Sequence, residues 1–398
     1  MVDDKSTSES KRESIFRRLY VGTGAFDVVG KRKRWYIFFG ALVLVCIASM
    51  GIKGFNFGID FEGGTQIQMP ANGKNGQITE QQAKDVFAEA LGRPADEAQK
   101  VGSGVSSTIQ LRSDTLDAGE VAKIKQALFQ DLGPIGTSGQ PSVQAISDSA
   151  VSASWGGEIS RQALIALGVF LLAVTLFLAL YFDTRMAAAA LISLLHDIVV
   201  TAGVYSLVGF EVTPATVIGL LTILGFSLYD TVVVFDKVRE NTRGLLGLTR
   251  RTFGEAANLA LNQTLMRSFN TALIAMLPIL GLLVVGYILL GSGTLQDLAL
   301  VQLTGTIVGV LSSVALATPL LVDLKMRDPK FRQQAERVAS RRANQARKAA
   351  QRDDDFDPND EDALEAELRK EKAYAAAASV PARNQKAHKG RPQGKRKR

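Results

Sequence analysis

The sequence predicts an α-helical polytopic membrane protein with six transmembrane helices and one extracytoplasmic α+β module, ferredoxin-like in layout, between helices 1 and 2. The chain has 398 residues, is 46% hydrophobic, and gathers its apolar residues into runs long enough to cross a bilayer. Between the first and second runs lies a polar segment, 53–160, with the strand and turn signals of a small folded domain. These two observations indicate an integral membrane protein with a folded insertion.

Six segments are predicted to cross the membrane, each needing about 20 residues. They lie at about 35–52, 162–182, 186–210, 213–235, 269–290 and 298–324. Basic residues at 31–34 precede the first segment, as in a signal peptide, but its apolar run exceeds the usual ~7–15 residues and no small-x-small cleavage site follows. We therefore expect this segment to stay in the membrane. The only cysteine, Cys46, lies within it, which excludes an intramolecular disulfide.

Lysine and arginine predict how these segments are oriented. Residues 1–34 hold nine of them, 236–268 hold six and 325–398 hold 21, whereas 53–160 hold only eight against 13 acidic residues. Because cytoplasmic loops carry the excess of positive charge, 53–160 is expected outside the cytoplasm. We expect a cytoplasmic basic N-terminus at 1–34, transmembrane helices 2–6 within 161–324, and a cytoplasmic charged, mostly disordered tail at 325–398. The net charge of +7 is then explained by the basic cytoplasmic segments that flank the membrane spans, and no specific nucleic-acid partner is needed to explain it.

The segment 53–160 is predicted to form a small sheet covered by two helices. Strand-like composition occurs at 55–61, 66–69, 108–111 and 142–146, and helical patterns at 79–91 and 117–132. Thr79 with Gln82 is typical of a capping box at a helix start. Two helices alternating with strands favour a ferredoxin-like layer.

The tail after Leu324 includes residues 332–352, which are rich in Ala, Gln and Arg and could form a basic helix. An acidic stretch follows at 353–355, and the chain ends in Lys and Arg. Two interpretations stay open: a solvated, disordered tail, or contact with anionic membrane lipids or ribosomal RNA.

Ionisable residues inside the predicted spans are the candidate functional groups, because a carboxylate in a bilayer costs several kcal/mol unless it is partnered or hydrated. Asp230 lies deep in the fourth span, and Arg267 is expected at a similar depth at the start of the fifth. An ion pair between them would favour the charged carboxylate, and its loss would favour the protonated form, as a gated proton site requires. The alternative is a static contact that only joins helices.

The third span also carries polar residues near the middle of the membrane. Ser193, Asp197 and Thr201 are four residues apart and share one helical face, while His196 points about 100° away. Asp197 and His196 are therefore further candidates for proton coupling, with interhelical hydrogen bonding as the alternative. Asp297 and Asp323, at the ends of the sixth span, are expected to be structural. Gly305 and Gly309 in that span are expected to allow close helix packing.

Several of these segments resemble one known family. The stretch from Gly58 to Thr65, Gly-Ile-Asp-Phe-Glu-Gly-Gly-Thr, is similar to the Gly-x-Asp-Phe-x-Gly-Gly signature of the SecD/SecF export proteins. Leu195-His196-Asp197, the stretch from Tyr229 to Asn241, and the stretch from Leu261 to Ser268 resemble the SecF branch of that family. The resemblance covers about residues 20–325 and includes the order of the spans.

This resemblance implies a member of the resistance-nodulation-division superfamily in a bacterial cell membrane. It implies that SecD and the SecYEG channel are partners, with YajC and the SecA ATPase as further candidates, and that exported preproteins are the cargo. By match of motif, Asp230 corresponds to the proton-coupling aspartate of the family and Arg267 to the arginine thought to pair with it. The chain lacks a SecD half, and its charged tail lies outside the common core of the family.

The glycine-rich signature lies where the external module meets the membrane. Gly58, Asp60, Gly63 and Gly64 could form a turn that fixes the module against the bundle, or a hinge through which the bundle moves it. No nucleotide-binding loop and no His/Cys cluster is present, so we expect no cofactor, no metal and no enzymatic activity. Two other functions stay open: proton-driven export of a small or lipophilic molecule, and a non-transporting assembly scaffold.

Overall fold

The computed structural model of the chain describes residues 26–102, 104–136, 139–289 and 293–354. Predictions for residues 1–25 and for the tail beyond 354 lie outside the described residues. The chain divides into two compact units, 1–335 and 336–398. Residues Pro329–Asp354 are helical, so the basic helix that the sequence allows is present and the expectation of a disordered tail is wrong for these residues.

Helices and strands are numbered here in chain order. The helices are α1 Arg32–Ile52, α2 Ile59–Glu62, α3 Glu80–Leu91, α4 Ala118–Asp131, α5 Ala153–Tyr181, α6 Thr184–Val208, α7 Pro214–Asn241, α8 Phe253–Leu283, α9 Gly293–Ser312, α10 Thr318–Met326 and α11 Pro329–Asp354. The strands are β1 Asn56–Phe57, β2 Gly64–Pro70, β3 Asn72–Gly73, β4 Gly76–Gln77, β5 Glu97–Val101, β6 Thr108–Ser113, β7 Ser147–Val151 and β8 Glu211–Val212. Val284–Leu289 after α8, and Ser313–Ala317 between α9 and α10, are π-helical.

Within the described residues, six helices are long and apolar enough to cross a membrane, and the predicted fold class is confirmed. Two of them begin earlier than the apolar runs indicate. Helix α5 begins at Ala153 because the Ser152 hydroxyl caps it, accepting a hydrogen bond from the Trp155 N–H at 3.3 Å. Helix α8 begins at Phe253, where Thr252 and Glu255 form a capping box. The caps start both helices in polar sequence, where hydropathy gives no signal.

The module between α1 and α5 is a four-stranded antiparallel sheet with the order β5-β6-β2-β7. Its chain order, strand-helix-strand-strand-helix-strand, is that of a ferredoxin-like fold, so this prediction is confirmed. The capping box of α3 is confirmed as well, with Thr79 and Gln82 in reciprocal hydrogen bonds of 3.2 and 2.9 Å.

Two local predictions in the module are wrong, and one strand was not predicted. The segment 55–61 is not one strand, because the two residues of β1 are followed directly by α2. Residues 142–146 contain a 3₁₀ turn, and the strand lies after it as β7, while β5 has no predicted counterpart. Strands β5 and β7 are the two edges of the sheet, where polar and charged side chains are tolerated, so their composition carries little strand signal.

The two faces of the sheet differ in chemistry. One face buries Ile67, Met69, Ile109 and Leu111 against the two helices, forming the core of the module. Because side chains alternate across a strand, the opposite face carries glutamines. Gln110 on this face is buried, and a Cβ atom on Gly293, at the start of α9, would lie 3.2 Å from its amide nitrogen. The glutamine face therefore packs on the end of the helix bundle where α9 begins.

Close helix packing holds the bundle together at glycine positions. A Cβ atom on Gly305 of α9 would lie 2.6 Å from Ile223 of α7, and one on Gly309 would lie 3.0 Å from the Cβ atom of Ser227. The expectation that these glycines allow close packing is confirmed. Helices α7 and α9 therefore approach one another at the depth of the buried polar residues.

A buried carboxylate recess and the module junction

Asp230 lies at a recess between α7, α8 and α9. Its side chain is 8% exposed, and one carboxylate oxygen accepts a hydrogen bond from the Ser268 hydroxyl at 2.5 Å. The other carboxylate oxygen is buried without a hydrogen-bond partner among the described residues. The recess has a volume of about 30 Å³, enough for about one water molecule, and is lined further by Phe226, Thr271, Ala275, Thr306 and Val310. A carboxyl group with one hydrogen-bond partner and one unpartnered oxygen can take up a proton on that oxygen without breaking an existing contact.

Arg267 lies one residue before Ser268 but does not form the predicted direct ion pair with Asp230 in the described residues. Its guanidinium donates a hydrogen bond to the Tyr229 hydroxyl at 3.0 Å. Tyr229 immediately precedes Asp230 and is exposed, so it turns away from the recess. Arg267 therefore holds α8 against α7 through the neighbour of Asp230 in this conformation.

Asp197 of α6 is linked to α7 by a second carboxylate contact. It is 1% exposed, accepts a hydrogen bond from the Ser227 hydroxyl at 2.5 Å, and lies 3.0 Å from Nδ1 of His196. The His196 ring packs edge-on against Phe39, with its Nε2 buried and unpartnered among the described residues. Ser227 also lines the recess of Asp230, so the two carboxylates are adjacent parts of one polar cluster.

The hydroxyls that complete this cluster are missed by sequence reasoning. Ser227 and Ser268 each donate to a carboxylate, and the Thr231 and Ser313 hydroxyls are hydrogen-bonded at 3.0 Å. Ser227 is one turn before Thr231, so a polar stripe on α7 was a signal that could have found it. Ser313 begins the π-helical segment, and such segments often mark functional sites in helices.

The signature glycines lie at the junction between the module and the bundle. Strand β1 pairs in parallel with β8, and the Gly58 N–H donates to the Val212 carbonyl at 2.8 Å. Gly63, between α2 and β2, and Gly64, the first residue of β2, adopt positive φ angles of 81° and 122°. Asp60 lies in α2 and lines a cavity beneath the module. All four residues are brought together, whereas their role as a hinge stays a prediction.

Arg112 of β6 is the centre of the polar contacts at this junction. Its guanidinium donates to Asn56 at 3.1 Å and Glu97 at 3.0 Å, and also to the Phe57 carbonyl. It lies 3.7 Å from Glu211 of β8 and 3.9 Å from Glu62. One side chain of the module thus contacts the segments that join α1 to the module and α6 to α7.

Comparisons with known proteins decide the family. Residues 133–327 match the model for "Protein export membrane protein SecD/SecF, C-terminal", and residues 48–73 match the "SecD/SecF GG Motif". The chain is 55% identical over 345 residues to "Protein translocase subunit SecF" of Mycobacterium tuberculosis (strain ATCC 25618 / H37Rv). This match covers 86% of this chain and 77% of that protein.

The chain belongs to the SecF family. Its similarity extends to the SecF subunit of Streptomyces coelicolor, at 40% identity over 98% of this chain and 100% of that protein. Among solved structures, the SecF-family chain is similar to "SecDF, a translocon-associated membrane protein" from Thermus thermophilus, with 30% identity and a TM-score of 0.64. The match covers 75% of this chain and 38% of SecDF.

Proposed function

We propose that the chain is the SecF-like subunit of the Sec preprotein translocase and uses the proton-motive force with SecD to complete protein export through SecYEG. Asp230 carries this proposal: it is a buried carboxylate with one serine partner and one unpartnered oxygen, at a recess inside a helix bundle. Moving one charge through 100 mV is worth about 2.3 kcal/mol, so a few protons can bias a domain movement. The mechanism needs no covalent chemistry.

SecD is the proposed main partner. One solved structure that this chain resembles is a SecDF protein, of which this chain matches 38%. Helices α5 and α8 have few residues buried within the described bundle, which leaves apolar surface for lipid or a second subunit. SecA supplies the ATP-driven stage in this proposal, and YajC is a further candidate neighbour.

Reconstitution tests the need for SecD. In vesicles with SecYEG, SecA and a preprotein, we expect a proton gradient to stimulate export only when this chain and SecD are both present, because the chain supplies one half of the unit. The control is the same vesicles with SecD alone. Full stimulation by this chain without SecD contradicts the proposal.

We also propose that both termini lie in the cytoplasm of a bacterium and that the module faces outward, because lysine and arginine are scarce in 53–160. Single cysteines at exposed module positions, such as Gln81 and Asp96, should react with an impermeant thiol reagent in intact cells of a Cys46→Ala background. Exposed Asp236 at the end of α7 serves as the control position and should stay unreactive until the membrane is opened. The reverse pattern of reaction contradicts the orientation.

A further inference from the structure

A polar cavity lies between the glutamine face of the module and the outer end of the bundle. It has a volume of about 300 Å³, and Gln66, Gln68 and Gln110 line the side formed by the module. Three carboxylates line the rest: Asp60 of α2, Glu211 of β8 and Asp297 of α9. Asp60 is half-buried, so the cavity meets solvent at that edge. It is separate from the recess of Asp230, although α9 contributes to both.

Asp297 is the unusual member of this group. It is 8% exposed, and its carboxylate makes no hydrogen bond or ion pair with any other described residue. The Tyr205 hydroxyl donates at 2.9 Å to the backbone carbonyl of Asp297, which positions the residue without satisfying its side chain. An ionised carboxylate in this place would be costly, because burial without a partner penalises the charged form. The structural role expected from the sequence does not explain an unpartnered acid at a cavity wall.

Glu211 lies in the same cavity wall and is disfavoured as an anion for related reasons. Burial raises the pKa of the Glu211 carboxyl, and the nearby carboxylates of Glu97 and Asp60 raise that pKa further. Arg112, at 3.7 Å, opposes this shift in the pKa. Because Arg112 also holds Glu97 and Asn56, its charge is shared and does not neutralise Glu211 fully.

The carboxyl groups of Asp297 and Glu211 in this cavity are suited to bind a proton. Within the described residues, no group of three His, Cys, Asp or Glu side chains is placed to hold a metal ion. Two neighbouring carboxyl groups that cannot both ionise cheaply share one proton instead. The charged or titratable groups that face the pair are Asp60, Glu97 and Arg112 from the module side and Tyr205 from α6. Only Arg112 among them is a cation.

We propose that Asp297 and Glu211 form a proton-binding site at the outer end of the bundle, a carboxyl pair that holds one proton taken from the extracytoplasmic side. Helix α9 leads from this pair to the recess of Asp230, where Gly305 and Gly309 line the wall. The pair therefore lies at the place from which a proton would be supplied to Asp230. That use rests on the proposed function, whereas the binding of a proton does not.

Labelling with a hydrophobic carbodiimide tests the site, because the reagent modifies protonated carboxyl groups that are shielded from water. The intact heteromer in vesicles is treated over a range of external pH, and modified residues are located by mass spectrometry. We expect modification of Asp297 that declines as external pH rises. In Glu211→Gln, Asp297 loses a like-charged neighbour, so its modification should disappear at a lower external pH than in the wild type. Asp131→Asn, which removes an exposed carboxylate at the end of α4, should change neither result.

Absence of modification at Asp297 overturns the proposal, as does a pH dependence of Asp297 modification that is unchanged in Glu211→Gln. The labelling also separates this site from the proposed function, because it needs no export. Asp230→Asn should leave the labelling of Asp297 and Glu211 intact even if that variant exports normally. Purification of the variants with SecD bound shows that they are folded.

Discussion

Replacing Asp230 by asparagine is expected to abolish the stimulation of export by a proton gradient and to leave ATP-driven export without a gradient little changed. Asparagine has nearly the same size, and its carbonyl oxygen can still accept from the Ser268 hydroxyl, so the packing of α7 on α8 should survive. It cannot release or bind a proton. Leaving its amide buried and partly unpaired costs about 1–3 kcal/mol, which the bundle should tolerate.

The controls for this prediction come from the same helices. Asp236→Asn changes an exposed carboxylate of α7 and should export as wild type does. Asp230→Glu should keep partial activity, limited by geometry. Arg267→Met and Tyr229→Phe both remove the hydrogen bond between α8 and α7, but only Arg267→Met removes a charge. If proton coupling depends on that charge, only Arg267→Met loses the stimulation.

The measurement is export of a preprotein into vesicles with and without a proton gradient, at equal amounts of recovered heteromer. Wild-type stimulation in Asp230→Asn would mean that Asp230 is structural. The proton-coupling proposal would then give way to a scaffold that needs only packed spans and a docking module.

The second large effect is expected at Gly64, where alanine should destabilise the module. Gly64 has a φ of 122°, and a Cβ atom there would lie 2.6 Å from the Ser113 carbonyl oxygen on the paired strand β6. The φ angle alone costs an alanine about 1–3 kcal/mol. The contact with Ser113 adds to this cost, because a backbone atom of a paired strand cannot move aside without disturbing the pairing.

Gly76 provides a matched control for this substitution. Its φ is 107°, and no heavy atom lies within 4 Å of the Cβ position. Gly76→Ala therefore carries the backbone cost without the steric contact. Thermal unfolding of the full chain in detergent, followed by circular dichroism and by protease resistance of the module, should show a clearly larger loss for Gly64→Ala. Equal losses would mean that the contact with Ser113 is relieved at little cost.

The fold was predictable where one physical signal dominates. Hydropathy located all six spans, and capping residues placed α3 in the module. Edge strand β5 was missed and edge strand β7 was misplaced, because pairing with the neighbouring strand and not composition determines where each of them forms. The early starts of α5 and α8 were missed because a cap and tertiary contacts extend a helix beyond its apolar run.

For the candidate site, the sequence predicted which ionisable residues are buried but not which residues they contact. Burial of Asp230 and Asp197 followed from charges placed inside apolar runs. Their partners did not, because Ser227 and Ser268 become visible only when the facing sides of three helices are known. The similar expected depth of Asp230 and Arg267 in the membrane suggested an ion pair. The rotation of each helix about its own axis, which the sequence does not give, decides whether the two side chains meet.

The pairing of β1 with β8 has a mechanical consequence. Strand β8 continues into α7 through the cap residue Thr213, and Asp230 lies sixteen residues beyond Pro214 on that helix. At 1.5 Å per residue, the part of α7 from Pro214 to Asp230 is ~24 Å long, so a tilt of ~10° about one end would displace the other end by ~4 Å. Because β8 pairs with β1, and β1 is followed directly by α2 and β2, a displacement of the Pro214 end would also move these elements of the module.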